Sequence, residues 1–473
     1  MKYLENFYID GQWVKPHGTE TTRVVNPANL QVCLTLPNAN AKDVDHAFAA
    51  ARRAFASWSI TSGAERQELL NRVADEMERR TDDFIDAHVE TLGVPRHQAH
   101  MVHIEAPVEA MRYFASLAPN VDDIERVSGM LVTREPVGVC ALINPWNYPL
   151  LQMVGKVAPA LAAGCTVVEK PSEQTPSADY IMAEIFDKVG LPAGVFNLLN
   201  GVGAEIGPLM SKHAEADMVS FTGSTRAGVS VAIEAAPTVK RVCQELGGKS
   251  PFIITGDADL SSAIKYGVDN VFLNAGQTCD ALTRMLVPQE LYADCIKIVK
   301  QVAAEHRVGD PEDPASTVGP LVSEQQRQRV ADYIALGEQE GADVIVGGSD
   351  LPDRLKNGAY VVPTVFGRVT PEMRIAQEEI FGPVLCVMTY QTIEEAIAIA
   401  NDTEFGLSAA VWAKDREDAV AIAKKLRVGQ CFIQGGFFRV DAPFGGFKQS
   451  GNGREWGVAG LAEYLETKAI IGE

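Results

Sequence analysis

The sequence of 473 residues lacks several features that define common protein classes. No apolar run reaches the ~18 residues of a membrane span, and residues 1–8 lack the apolar core of a secretory signal. The eight cysteines are scattered, with no C-x-x-C pair and no zinc-like spacing to the eight histidines. The 42 basic residues are outnumbered by 62 acidic ones, and the net charge of −20 disfavours binding to nucleic acid or an anionic membrane. These absences predict a cytoplasmic protein with reduced thiols, no metal, and no nucleic-acid or membrane partner.

The chain is long enough for about three domains at ~150 residues each, and its 46% hydrophobic and 22% charged content is typical of a globular protein. The pattern is mainly helical up to about residue 115, with apolar residues recurring every three or four positions over 43–58. Short apolar runs then alternate with helical stretches, which predicts βαβ crossovers and a parallel sheet with helices on both faces. The runs interpreted as strands are 137–143, 166–169, 195–199, 218–221 and 241–246, and a second α/β series begins after residue 248.

Several reactive side chains follow predicted strands or corners, the side on which parallel sheets bind ligands. Cys279 ends an apolar helix, Glu245 closes a strand, and Asn147 follows the first strand of the sheet. Taken singly, each has an ordinary interpretation: an inert buried thiol, a loop carboxylate, or a helix-capping amide. The glycine loop at 201–207 is as typical of a plain turn as of a phosphate site, because its spacing is G-x-G-x-x-x-G. Together these features fit attack of a thiol on a carbonyl, hydride transfer to a nicotinamide, and hydrolysis of an acyl intermediate.

Seven short motifs resemble those of the aldehyde dehydrogenase superfamily, in the family's order and over nearly the whole chain. They are PWNYP at 145–149, KPSE at 170–173, FTGS at 221–224, ELGGK at 245–249, GQTC at 276–279, EIFGP at 379–383 and PFGGFKQSG at 443–451. Any one of them could arise by chance, but seven in order could not plausibly do so.

The resemblance implies an α/β fold in three parts. These are a Rossmann-type coenzyme domain (1–120 and 137–247), an α/β catalytic domain (248–440), and a β oligomerisation arm (121–136 and 455–473). Pairing of the arm with another subunit would bury strands that are marginal alone, which predicts a homodimer or homotetramer.

The resemblance also assigns roles to individual residues. Cys279 matches the nucleophile, Asn147 and the Cys279 backbone N–H match the oxyanion hole, and Glu245 matches the general base. NAD is the implied cofactor; Glu173 disfavours NADP without excluding it. The residues expected to contact the cofactor are Ile143, Trp146, Lys170, Glu173, Gly203, Phe221, Gly223, Ser224, Leu246, Glu379 and Phe381. For Ser224 the alternative role is that of a helix cap.

The substrate pocket is the least determined part of the site. Its expected residues are Tyr148, Gln152, Gly155, Asp280, Phe438 and Arg439, with Lys156 in a supporting role. Gly155 stands where some relatives have a bulky aromatic, which suggests a roomier entrance. Arg439 either meets a substrate carboxylate or pairs with Asp441, two residues away.

The predicted activity is NAD-preferring oxidation of an aldehyde to its acid through a cysteine thiohemiacetal and thioester. One alternative is a CoA-acylating enzyme, but those relatives usually lack the general-base glutamate, so Glu245 favours hydrolysis. A second is a non-catalytic member of the fold, which would have lost the nucleophile, base or oxyanion amide. The sequence leaves the aldehyde open among aliphatic, aromatic and semialdehyde substrates.

Overall fold

The structure is a computed structural model, and it describes residues 4–472. Its strands are β1 (Phe7–Ile9), β2 (Gln12–Val14), β3 (Thr21–Asn26), β4 (Gln31–Pro37), β5 (Glu125–Val127), β6 (Met130–Pro136), β7 (Val139–Ile143), β8 (Thr166–Lys170), β9 (Phe196–Leu198), β10 (Met218–Thr222), β11 (Arg241–Glu245), β12 (Pro251–Ile254), β13 (Arg284–Pro288), β14 (Asp343–Val346), β15 (Thr364–Gly367), β16 (Val384–Tyr390), β17 (Ser408–Trp412), β18 (Gln430–Ile433), β19 (Gly451–Asn452) and β20 (Leu465–Ile471).

The helices cover the faces of the two larger sheets. They are α1 (Ala41–Trp58), α2 (Gly63–Arg79), α3 (Thr81–Thr91), α4 (Arg96–His103), α5 (Glu105–Leu117), α6 (Pro149–Ala163), α7 (Ser177–Val189), α8 (Gly203–Lys212), α9 (Thr225–Ala235), α10 (Leu260–Phe272), α11 (Tyr292–Ala303), α12 (Glu324–Gln339), α13 (Arg374–Gln377), α14 (Ile393–Asn401), α15 (Arg416–Ala423) and α16 (Gly457–Ala462). Within residues 4–472, no helix combines the length and the apolar character needed to cross a membrane.

The first large sheet has the strand order β19-β11-β10-β7-β8-β9-β1-β2, and its five central strands run parallel. The chain moves outward from β7 in one direction through β8 and β9 and then returns to add β10 and β11 on the other side. The order therefore reverses between β7 and β10, where parallel sheets open a crevice for ligands. Their carboxyl ends are in register, because Phe221 pairs with Ile143 and Thr222 pairs with Glu245. This confirms the predicted parallel α/β architecture.

The second large sheet has the order β14-β15-β16-β13-β12-β17-β18, in which β14 is the antiparallel strand. Between α10 and β13, Asn274 and Ala275 have φ of 50° and 54° and turn the chain toward the first sheet. The predicted helix over 260–275 therefore ends at Phe272. Gly276 follows with φ of 73°, and a Cβ there would lie 2.1 Å from the Gly382 backbone. Only glycine allows this approach, which brings the segment of Cys279 against the segment of Phe381.

Two small sheets complete the fold: β20-β6-β5, and the hairpin β3-β4. The prediction of a mainly helical segment up to residue 115 is correct from α1 onward, where Val44, Phe48, Ala51 and Trp58 are buried. It is wrong for residues 7–37, which form β1 to β4. Strands of three residues, such as β1 and β2, are too short to show a period, and the pairing of β1 with β9 is a tertiary effect.

Candidate active site

A pocket opens where the carboxyl ends of the first sheet face the loop that carries Cys279. Many predicted site residues meet in its wall: Trp146, Asn147, Gly223, Ser224, Glu245, Leu246, Cys279, Glu379 and Phe381. Pro145, Thr222, Gly247, Gln326 and Arg329 line it as well and were missed by the sequence analysis. Across residues 4–472, no cluster of three or more His, Cys, Asp or Glu side chains forms a candidate metal site.

Two missed residues come from α12, an ordinary polar surface helix in sequence. Gln326 Nε2 donates to the Phe381 carbonyl at 2.8 Å, and an Arg329 guanidinium N–H donates to the Glu379 carbonyl at 2.7 Å. Both therefore hold the backbone of the Glu379–Phe381 segment at the pocket. No sequence signal identifies them, because their role depends on where a distant loop packs.

Consecutive glycines after β11 allow three segments to meet. A Cβ at Gly247 would lie 2.6 Å from the Glu379 carboxylate, and one at Gly248 would lie 2.5 Å from the Cys279 carbonyl oxygen. The Gly248 N–H donates to Glu379 Oε1 at 2.9 Å. Glycine at 247 and 248 thus brings the Glu379 carboxylate and the Cys279 backbone close to the end of the strand that carries Glu245.

The amide of Asn147 is fixed by the loop that carries Cys279. Asn147 Nδ2 donates to the backbone carbonyl of Gln277 at 3.0 Å, and the backbone carbonyl of Asn147 accepts from Asn274 Nδ2 at 2.9 Å. Because an amide nitrogen carries two protons, one N–H remains for another acceptor. The next residue, Tyr148, shares a hydrogen bond of 2.7 Å between its hydroxyl and that of Thr278. Two adjacent residues at the start of α6 therefore orient the two residues that precede Cys279.

The electrostatic setting keeps the thiol of Cys279 protonated in the absence of a base. Burial raises its pKa well above the ordinary value, and the acidic groups of Asp280, Glu245 and Glu379 raise it further. The same setting favours a protonated Glu245, because burial and then Glu455 raise the pKa of its carboxyl group. Both carboxyl oxygens of Glu245 are buried and lack a hydrogen-bond partner among residues 4–472. A site with a buried acid free to exchange a proton is suited to general-base chemistry.

Lys156 is fully buried near Glu245. Its ammonium group contacts Glu455 Oε1 and Thr222 Oγ1, both at 2.7 Å, and Gln152 Oε1 at 3.2 Å. Its positive charge lowers the pKa of Glu245 and opposes the effects of burial and of Glu455. Gln152, expected in the substrate pocket, is therefore a partner of Lys156 and is buried.

Predicted cofactor residues also meet at the ends of β8, β9 and β10. Lys170 Nζ donates to Glu173 Oε2 at 3.1 Å, and the other oxygen of Glu173 accepts from the Gly203 N–H at 3.2 Å. Ser224 caps α9, since its hydroxyl accepts from the Ala227 N–H at 3.4 Å, and it lines the pocket at the same time. Ser224 therefore caps the helix and can also contact a ligand in the pocket.

Hydrophobic groups flank the same region. The rings of Trp146 and Phe381 meet edge to face with centroids 5.2 Å apart. Ile143, Phe221 and Leu246 are buried in the core beneath the strand ends. A Cβ at Gly223 would lie 2.7 Å from the Phe221 ring, so glycine at this position allows the backbone to pass close to that ring.

The structure corrects the expected entrance of the substrate pocket. A Cβ at Gly155 would lie 2.4 Å from Trp456 Cζ2, so the space that the glycine leaves is filled by a buried indole. The ring of Phe438 packs edge to face on Trp456 with centroids 5.3 Å apart. Arg439 forms an ion pair with both carboxylate oxygens of Asp441, at 2.8 and 2.6 Å. Of the two roles expected for this arginine, the structure shows the pairing with Asp441.

Comparison with known proteins identifies the family. The family described as "Aldehyde dehydrogenase family" matches residues 13–470. The chain belongs to the aldehyde dehydrogenase family. The predicted family, fold class and enzyme class are therefore confirmed for this aldehyde dehydrogenase, whereas the roles of its individual residues and the domain limits stay predictions.

Relatives of this aldehyde dehydrogenase act on or bind different aldehydes. The chain is 48% identical to a 3-succinoylsemialdehyde-pyridine dehydrogenase of a Pseudomonas species, over 100% of this chain and 99% of that protein. It is 46% identical to a mutant aldehyde dehydrogenase C of Pseudomonas syringae in a crystal structure with NAD+ and octanal, with a TM-score of 0.98 and coverage of 99% and 97%. A point mutant of betaine aldehyde dehydrogenase of Staphylococcus aureus, crystallised with NAD+, is 37% identical with a TM-score of 0.95 and coverage of 99% and 97%.

Proposed function

We propose that the chain is an NAD-preferring aldehyde dehydrogenase that oxidises an aldehyde to its carboxylic acid with water as the final acyl acceptor. The observation that carries this proposal is the meeting of Cys279, Asn147 and Glu245 in one pocket. A nucleophile, an amide with a free N–H, and an acid with two unpartnered oxygens are what acyl transfer to water requires.

The first step forms a bond between Cys279 Sγ and the aldehyde carbon. Because the pKa of the thiol is raised by burial and then by nearby acids, its proton must leave as the bond forms, and it passes to solvent. The carbonyl π electrons move to oxygen, which accepts hydrogen bonds from Asn147 Nδ2 and the Cys279 backbone N–H. NAD, when bound, would supply the acceptor for the hydride that leaves this carbon with two electrons, and Cys279 would then carry the acyl group as a thioester.

The second half of the reaction breaks the carbon–sulfur bond. Glu245 takes a proton from water, the hydroxide adds to the thioester carbon, and Cys279 leaves as the thiolate. The product is the acid, and the proton held by Glu245 regenerates the thiol or passes to solvent. Lys156 steadies the charge on Glu245 when it is ionised, since its ammonium lowers the pKa of that acid against burial and Glu455.

The residues present suit NAD as the cofactor. Glu173 and Lys170 lie together at the end of β8, the usual place for contacts to an adenosine ribose, and the N-terminus of α9 opens on the pocket. The relatives crystallised with NAD+ support this assignment. Lys170 and Glu173 would hold the adenosine ribose, Ser224 the pyrophosphate and Glu379 the nicotinamide ribose. The remaining predicted contacts are Ile143, Trp146, Gly203, Phe221, Gly223, Leu246 and Phe381.

We further propose three structural parts, an oligomer and a cytoplasmic location. The parts are 1–120 with 137–247 for the coenzyme, 248–440 for catalysis, and 121–136 with 455–473 as an oligomerisation arm. In support, the sheet β20-β6-β5 has an exposed end at Ile470 and Ile471, and three short strands are marginal alone. A reducing compartment fits a thiol nucleophile among free cysteines. Light scattering should give at least twice the mass of one chain, and Ile470→Lys with Ile471→Lys should lower it.

The deciding experiment measures reduced-nicotinamide formation from a panel of aldehydes, with NAD or NADP and with or without CoA. The panel spans short and long aliphatic, benzaldehyde-type and carboxylate-bearing aldehydes, and Cys279→Ala is the blank. CoA-independent turnover with NAD that disappears in the blank supports the proposal. Turnover that requires CoA indicates an acylating enzyme, and no turnover with any aldehyde indicates a non-catalytic member of the fold.

A further inference from the structure

Asp280 follows the proposed nucleophile directly and brings a carboxyl group to it. The side-chain partner of that carboxyl group is neutral: Gln430 Nε2 donates to Asp280 Oδ2 at 3.1 Å. Within residues 4–472, no lysine, arginine or histidine forms an ion pair with it. Asp280 is therefore an uncompensated acid beside Cys279.

This acid interacts with residues of the predicted substrate side. Apart from burial, its charge raises the pKa of two phenols, those of Tyr148 and Tyr266. The Tyr266 hydroxyl donates at 2.8 Å to the carbonyl of Gly436, next to Phe438. Asp280 is absent from the wall that contains Ser224, Glu379 and Phe381, whereas its charge acts on Tyr148, which is predicted to line the substrate pocket.

Two cations near the site are already paired with other acids. Lys156 is paired with Glu455, and Arg439 is paired with Asp441 through both carboxylate oxygens. Arg329 points to the Glu379 carbonyl on the cofactor side. A negatively charged group entering with the substrate would thus meet the charge of Asp280, whose carboxyl group has no cationic partner among residues 4–472.

We propose that Asp280 is a specificity-determining residue that makes this site select neutral or positively charged aldehydes and reject aldehydes with a carboxylate a few carbons from the carbonyl. The proposal rests on the proposed function and defines the charge class of its substrate. For like charges ~6 Å apart at an effective dielectric constant of ~20, repulsion lowers productive binding by roughly 100-fold. Exposure of the pocket to water reduces this, so a discrimination of about 10- to 100-fold is expected.

The first test compares aldehydes of equal chain length and different charge: butanal, succinic semialdehyde and 4-(trimethylammonio)butanal. At pH 8, kcat/KM for succinic semialdehyde should be at least ~10-fold below that for butanal. Asp280→Asn keeps the size and the acceptor for Gln430 but removes the charge, and should shrink this ratio by about 10-fold while weakening the preference for the cation. Asp294→Asn, at an exposed position on α11, is the control for net charge and should change neither ratio.

The pH dependence gives a readout that a purely structural role would not change. Burial raises the pKa of Asp280 to about 6. The discrimination against succinic semialdehyde should therefore grow as pH rises from 5 to 7, because Asp280 gains its charge over that range. The other titratable groups around it are Cys279, Tyr148, Tyr266 and Cys431, whose pKa values are all raised, chiefly by burial. On the cofactor side of Cys279, burial also raises the pKa values of the carboxyl groups of Glu245 and Glu379. The pH dependence that belongs to Asp280 is therefore the part that Asp280→Asn removes.

A second measurement does not depend on turnover. Iodoacetate and iodoacetamide alkylate the same thiol and differ in charge, and mass spectrometry of the peptide that contains Cys279 gives both rates. The ratio of the amide rate to the acetate rate should fall about 10-fold in Asp280→Asn, while any change in the pKa of the thiol cancels in the ratio. An unchanged ratio in this variant, or a wild-type preference for succinic semialdehyde over butanal, would overturn the proposal. Absence of aldehyde oxidation with a normal alkylation contrast would instead reject the proposed function.

Discussion

The indole of Trp456 occupies the volume that any side chain at position 155 would need. Gly155 lies inside α6, a helix that is almost entirely buried, and glycine there costs roughly 0.5–1 kcal/mol relative to alanine. Trp456 lies just before α16 with φ of 63° and is fully enclosed. Packing of the indole offsets the cost of glycine in the helix and of the positive φ at Trp456. The glycine and the tryptophan, 301 positions apart in sequence, therefore form one complementary pair behind the proposed active site.

We expect Gly155→Ala to destabilise the protein, because its Cβ would approach the indole to 2.4 Å. Overpacking of this kind costs about 1–3 kcal/mol, and Trp456→Leu alone should cost about 3 kcal/mol through the cavity it leaves. The double variant should lose less stability than the two single variants lose in total, since leucine makes room for the new methyl group. Chemical denaturation of the four proteins measures this coupling. Additive losses within ~0.5 kcal/mol would show that the two positions do not share a volume.

Glu245→Gln should separate the two halves of the reaction. The variant keeps the shape of the side chain but cannot accept a proton from water, so hydrolysis of the thioester should slow by about 100-fold or more. Stopped-flow absorbance should then show a burst of up to one reduced nicotinamide per active site, followed by a slow steady rate. The wild-type enzyme mixed in the same way is the reference. Loss of both the burst and the steady rate would place the glutamate before hydride transfer instead.

Cofactor choice should depend on the carboxylate of Glu173. Despite burial, the charge of Lys170 and the Gly203 N–H lower the pKa of this acid, so it is ionised at neutral pH. A 2′-phosphate placed beside it would be repelled. Glu173→Gln should raise the ratio of kcat/KM for NADP to that for NAD by about 10-fold. Steady-state rates with each cofactor test this, and Glu205→Gln, an exposed acid on the nearby α8, is the control.

The sequence predicted the location of the three proposed catalytic residues better than their supporting contacts. Asn147, Glu245 and the KPSE loop could be placed because each follows a strand, and parallel strands end at one edge of a sheet. The approach of Cys279 to that edge depends on the left-handed turn at Asn274 and Ala275, which no periodic pattern announces. The filling of the space beside Gly155 was also hidden, since a residue 301 positions away supplies the indole.

Acid should destabilise this protein through a buried histidine. His88 is fully enclosed, its Nδ1 lies 2.6 Å from the Phe84 carbonyl, and burial lowers its pKa to about 4. A histidine with a lowered pKa in the folded state binds protons more readily when unfolded, so stability falls as pH drops below about 6.5 and levels off near pH 4. Over that range the loss approaches roughly 3 kcal/mol.

The histidine contribution can be isolated by comparing melting temperatures at pH 7.5 and pH 5. His88→Gln should reduce the drop between these two pH values, because glutamine does not titrate, even if the variant is less stable at both. His97→Gln is the matched control, since His97 is exposed at the start of α4. His103 packs against His88 with tilted rings whose centroids are 4.9 Å apart. Its pKa is also lowered chiefly by burial, so it keeps part of the acid sensitivity in the first variant. If His88→Gln and His97→Gln show the same drop as the wild type, the acid sensitivity lies elsewhere.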